Sequence, residues 1–155
     1  MRILSSFVVG LVASSVAWAA DDISLGKEVF KSKNWSVRQT PDGMTGAMNC
    51  TGLYQHKYIV QLTSDALYLS LAPSGGFRSY TARFDNEPAS ADRSASPHEG
   101  AIQSIALTGA DFAKVMNSKR VQLQVTTSGP RPEAHEIDLS DIEPAHAAIR
   151  GKNCR

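Results

Sequence analysis

The side chains that do most protein chemistry are sparse in this chain and awkwardly spaced. There are four histidines, His56, His98, His135 and His146. A zinc peptidase places two on one helical turn as His-Glu-x-x-His, with the glutamate as base. His98-Glu99 and His135-Glu136 each lack the second imidazole, so all four read as surface histidines and no metal site is assigned. The nucleophile pattern Gly-x-Ser-x-Gly is absent. Ser24-Leu-Gly-Lys27 has the Ser-x-x-Lys spacing of penicillin-recognising enzymes, without their companion motifs. Pro73-Ser-Gly-Gly76 could turn backbone donors toward an oxyanion, but it reads first as a hairpin turn. Asp85, Glu87 and Asp92 lie in or beside one long loop. Glycosidase chemistry needs two carboxylates in different environments across a cleft, and solvated loop carboxylates are the simpler reading. Asn34-Trp-Ser36 and Asn49-Cys-Thr51 match the N-glycosylation pattern, which is short enough to arise by chance. No catalytic residue and no cofactor are assigned.

One constellation points to binding. Arg83 and Asp85 are two apart on an expected strand and share a face. The plain reading is a same-face ion pair supporting the start of the loop. The functional reading is a contact patch of Tyr80, Arg83 and Asp85.

The two cysteines, Cys50 and Cys154, are far apart in the chain. A metal pair or redox thiols would favour closer spacing, such as Cys-x-x-Cys. In a small exported protein a lone pair predicts one disulfide, here tying the last residues to an early strand. Export is itself an expectation. Met1-Arg2, an apolar run from Ile3 to about Val16 and Ala17-Trp-Ala19 make the cationic, apolar and small-x-small parts of a secretory signal cleaved after Ala19. The run is short for a bilayer span of roughly 20 residues, so no stable span is expected after cleavage. Residues 20–155 then form a single β-rich domain, periplasmic or secreted.

These residues must be positioned by short strands. Residues 21–33 are polar and read as a loose arm. Trp35–Gln39, Gly52–Tyr54 and Lys57–Leu62 are strand-like, the first two separated by a turn at Thr40–Gly43. Ala66–Leu71 alternates cleanly, with Leu67, Leu69 and Leu71 on one side. Phe77–Asp85 follows the expected hairpin turn, with Arg78, Tyr80, Ala82 and Phe84 on one face. Asn86–Gly100 is a long loop, a length that marks function or mobility. Ile102–Leu107, Arg120–Thr126 and Ala134–Leu139 are further strands, with a short helix over Asp111–Asn117. Ser140-Asp-Ile-Glu143 has the form of a capping box for a closing helix to about Arg150. Its Ile142, Ala145 and Ile149 share a face. The pattern predicts a mainly β (α+β) fold: an antiparallel sandwich or open barrel with a short helix and a C-terminal capping helix.

The order of these features resembles small periplasmic proteins of Gram-negative bacteria. It includes Trp35, Cys50, the strand Tyr80-Thr-Ala-Arg83-Phe-Asp85, Leu107–Phe112 before Val121–Val125, and a helix ending at Cys154. It is similar in pattern to the invasion-associated locus B family and to periplasmic accessory proteins of type VI secretion. The resemblance covers most of residues 20–155. It implies a non-enzymatic, β-sandwich-like domain tied to envelope assembly, secretion or host interaction, with an envelope or exported protein as partner. It carries no catalytic residue across. The alternatives are an inhibitor of an envelope-attacking lysozyme or protease, with the Asn86–Gly100 loop inserting, and a wall- or polysaccharide-acting enzyme. Nucleic-acid binding is set aside. The net charge is +1, and Lys119-Arg120 and Arg150, Lys152 and Arg155 are small groups where a concentrated basic surface is needed.

Overall fold

Alternating apolar residues build two antiparallel sheets in the computed structural model, which describes residues 26–56 and 59–154. The expected signal, residues 1–19, lies outside these, as does Ser24. Strands β1 (Lys27–Lys31), β2 (Trp35–Pro41) and β3 (Met48–Tyr54) run first. Strands β4 (Val60–Leu62) and β5 (Ala66–Ser70) follow. Next come β6 (Phe77–Phe84), the two-residue β7 (Arg93–Ser94) and helix α1 (Pro97–Ile102). Strand β8 (Ser104–Thr108) and helix α2 (Gly109–Asn117) lead to β9 (Arg120–Thr127) and β10 (Glu133–Asp138). Helix α3 (Ile142–Ile149) closes the fold. The six-stranded sheet has the order β1-β2-β3-β4-β5-β8 and the four-stranded sheet β10-β9-β6-β7. Neither closes into a barrel. The fold is mainly β with a C-terminal helix, as the sequence pattern predicts.

The core forms because the stripes are real. Leu67, Leu69 and Leu71 are buried and Tyr68 and Ser70 are not. Val121, Leu123 and Val125 are buried on β9. Both stripes join one cluster with Trp35, Tyr80 and Ile105. Each fully buried aliphatic side chain contributes about 1.5–3 kcal/mol. Ile142, Ala145 and Ile149 are buried on α3, which packs on β1, β2 and β3. That approach requires Gly52: a Cβ there would sit 2.9 Å from Leu62 Cβ and 3.3 Å from Ile149 Cδ1. The chain then reaches back, and Cys154 bonds Cys50 with their Cα atoms 5.4 Å apart. The staple closes a separation of 104 residues, which the chain-entropy model values at about 4–5 kcal/mol.

Several expectations are corrected. The expected loose arm contains β1, paired with β2; a bulge between Glu28 and Phe30 breaks its alternation. The turn after β2 falls later, where the Asp42 carboxylate accepts from the amides of Met44 and Thr45. Pro73–Gly76 is not a hairpin turn. Strand β5 pairs with β4 and β8, whereas β6 pairs with β7 and β9, so this turn carries the chain from one sheet to the other. Gly75 and Gly76 take φ of 73° and 88° to do so, which glycine adopts without steric cost. On β6, a bulge between Phe77 and Ser79 turns Arg78 out to solvent, away from Tyr80, Ala82 and Phe84. Ser140 does not cap α3; its hydroxyl and amide donate to Asp138, and the N-cap, Asp141, makes no side-chain capping bond. The capping box lies elsewhere, at Ser96 and Glu99, inside the segment expected to be a loop.

Candidate functional site

Strand alternation splits the expected contact patch. Tyr80 faces the core and is 1% exposed, while Arg83 points to solvent from the outer face of the same strand. Asp85 follows β6 at φ 48°, a left-handed conformation that Asp tolerates better than most residues. Its carboxylate accepts from the amides of Lys119 at 2.9 Å and Arg120 at 3.0 Å. It therefore fixes the start of β9. Arg83 instead donates from Nε to Gln122 Oε1 at 2.9 Å, and from its second guanidinium nitrogen to the same oxygen. The three residues take three separate roles.

What Arg83 joins is a polar row across three strands. Arg83, Gln122 and Glu136 stand in register, and Gln122 Nε2 donates onward to Glu136 Oε2. One row along, Thr81, Gln124 and Ala134 are in register. The segment Asn86–Ala89 walls this face and leaves a groove of about 760 Å³. A second hollow of about 570 Å³ shares Asn86 and Glu136 with it and reaches Lys119, Arg120 and Asp138. The floor offers amide, guanidinium and carboxylate groups, suited to hydrogen-bonding a polar chain. Glu87 beside it pairs with Lys114 at 3.5 Å. Gln122 and Glu136 were readable only as outward positions of alternating strands; their pairing with Arg83 depends on register.

The Asn86–Gly100 segment is pinned along β6. Ser90 N–H donates to Ala82 O at 2.8 Å, and the Ser90 hydroxyl accepts from Ala82 N–H at 3.0 Å. Ala95 N–H donates to Arg78 O. At its end Glu99 is 5% exposed. Glu99 accepts from the Ser96 amide at 2.9 Å, the Ser96 hydroxyl at 2.8 Å and the Ala106 amide of β8 at 3.1 Å, with the Tyr80 hydroxyl at 3.5 Å. One carboxylate thus links the two sheets. Burial pushes the Glu99 carboxyl up, but the Ser96 and Ala106 amides, the Ser96 hydroxyl and Arg93 outweigh it, so its pKa lies below the ordinary value. Burial, and then the Glu99 charge, push the Tyr80 phenol up to about 12. Arg93 lies 5.2 Å from the Tyr80 ring centre and bonds Asp111. This group is a lock between elements. The Ser96-Pro-His-Glu99 spacing was its legible signal.

A third cluster resembles a catalytic triad only in composition. The Ser74 hydroxyl donates to Glu133 Oε1, and His135 Nε2 lies 3.0 Å from Glu133 Oε2. The carboxylate stands between hydroxyl and imidazole. In a triad the imidazole touches the hydroxyl and takes its proton. Here Glu133 ties the inter-sheet turn to β10. His135, expected at the surface, is instead buried on the inward face of β10, and its Nδ1 has no hydrogen-bond partner among the described residues. His56 and His146 bond Asn34 and the Ser64 carbonyl. Among the described residues no cluster of three or more His, Cys, Asp or Glu could hold a metal ion, and no helix is long and apolar enough to cross a membrane. No family model, curated protein or solved structure matches the chain.

Proposed function

We propose that this is an exported, non-enzymatic binding protein that holds a polypeptide partner on the outer face of its four-stranded sheet. The observation that carries the reading is the groove floored by the in-register Arg83–Gln122–Glu136 row. An extended chain presents amide and side-chain groups that such a row can bond. The Cys50–Cys154 bond supports an oxidising compartment. The partner belongs to the envelope or is itself exported, in keeping with the resemblance to periplasmic accessory proteins. A photo-cross-linking residue at Gln124, in the groove, tests this against one at Gln61, exposed on β4 of the other sheet. The expected result is one exported polypeptide joined at Gln124, absent at Gln61 and lost on Arg83→Glu. Equal labelling at both positions, or none, overturns the reading.

A second reading, inhibition of an envelope-attacking hydrolase, is favoured by one observation. Residues 86–92 are exposed on a backbone pinned at Ser90 and Ala95, and a preordered loop costs less entropy to dock. Titration against lysozymes and secreted proteases with no loss of rate removes it.

A further inference from the structure

The four-stranded sheet ends at β10, and its backbone bonds show which groups that edge leaves open. Asp85 N–H donates to Arg120 O at 3.1 Å, and Leu139 N–H to Lys119 O at 2.8 Å. Antiparallel strands alternate bonded and non-bonded pairs. With the observed register, Arg120, Gln122 and Gln124 bond β6, while Val121, Leu123 and Val125 bond Ile137, His135 and Glu133 of β10. Ala134, Glu136 and Asp138 therefore aim N–H and C=O away from the sheet. The Asp138 amide agrees: it donates outward to the Tyr54 hydroxyl at 3.1 Å. The outward backbone groups of Ala134 and Glu136 have no such tie among the described residues.

The other edges differ. Strand β7 is two residues long, β1 is bulged, and α1 and α2 pack against β8. Strand β10 runs six residues in unbroken register. Of the usual protections of an edge it has charge, but no lysine, proline or bulge. Its side chains are acidic at Glu133, Glu136 and Asp138 and small at Ala134. A second copy laid along it would set these carboxylates against their own kind, which destabilises a strand pair. A strand bearing lysine or arginine complements them.

We infer that β10 is an acceptor edge: an extended basic segment of an exported polypeptide pairs its main chain with Ala134 and Glu136 and becomes a fifth strand beside the groove. This rests on the binding reading above and gives the partner a chemistry. The probe is a blocked ten-residue peptide alternating lysine with threonine and valine, beside a counterpart with glutamate for lysine, added to the oxidised full-length protein. The lysine peptide should slow amide exchange at Ala134 and Glu136 at least tenfold and leave Leu123 unchanged; the glutamate peptide should do neither. Ala134→Pro removes an outward N–H and no ladder bond, a placement edge strands tolerate, so it should abolish the slowing at Glu136. A lysine peptide N-methylated at alternate amides should fail on the unaltered protein, whatever the fate of the proline variant. No slowing at millimolar lysine peptide overturns the inference, as does equal slowing by both peptides. Slowing that grows with protein concentration alone assigns the edge to a second copy and also overturns it. Cross-linking at Gln124 that survives Ala134→Pro, with no peptide effect, sinks the edge and keeps the groove. Absence of any cross-link sinks the groove reading itself.

Discussion

Two of the polar networks among the described residues are built from similar groups and put to opposite uses. Glu99, Ser96 and Tyr80 meet between the sheets, with Arg93 over the ring. Arg83, Gln122 and Glu136 meet on an open face. In the first, burial makes every bond obligatory, because a stranded buried donor keeps its full desolvation cost. In the second, water can replace each bond at little cost. The buried set anchors the far end of the segment whose beginning walls the groove, and the exposed set remains available to a partner.

Glu99→Ala tests the contrast most severely. It strands the Ala106 amide and should lower stability by roughly 2–4 kcal/mol, read from urea unfolding. A change under about 0.5 kcal/mol, the range of ordinary surface substitutions, would dissolve the distinction. The pH dependence comes next. The Glu99 pKa is lowered in the fold, so its contribution is complete above the ordinary value of 4.5 and fades as pH falls through the folded value. The melting temperature should drop on acidification, and less steeply in Glu99→Gln. The Tyr80 phenol is raised, so its contribution is complete below pH 10.0 and lost as pH rises toward about 12. Alkaline spectrophotometric titration should show a late-ionising phenol that Tyr80→Phe removes. Smallest is Arg83→Ala, expected within about 0.5 kcal/mol of the parent while weakening cross-linking at Gln124.

How much of this was legible depended on how far apart the cooperating residues lie. Strands β5 and β9 announce themselves, because Leu67–Leu71 and Val121–Val125 alternate within one short window. Strand β1 does not: its bulge breaks the period, and Val29 and Phe30 are both half-buried. Nothing local says that β5 pairs with β8 and not with β6, so Gly75-Gly76 reads as a hairpin when it is a crossing between sheets. Capping shows the same limit. Ser140-x-x-Glu143 and Ser96-x-x-Glu99 have one spelling, but Asp138 captures the Ser140 hydroxyl, while Ser96 keeps its partner. Of the candidate site, only Arg83 stands out in the sequence, as one of a same-face pair with Asp85. Its neighbours Gln122 and Glu136 are 39 and 53 positions away in sequence and become neighbours only through strand register.

The bond from Cys50 to Cys154 also has a mechanical meaning. It makes a covalent ring that contains β4 to β10 and α1 to α3, leaving β1, β2 and the start of β3 outside. Pulled from its two ends, the oxidised chain can pay out contour length only from the residues outside the ring. Once reduced, it releases the enclosed residues as well, at roughly 3.5 Å each.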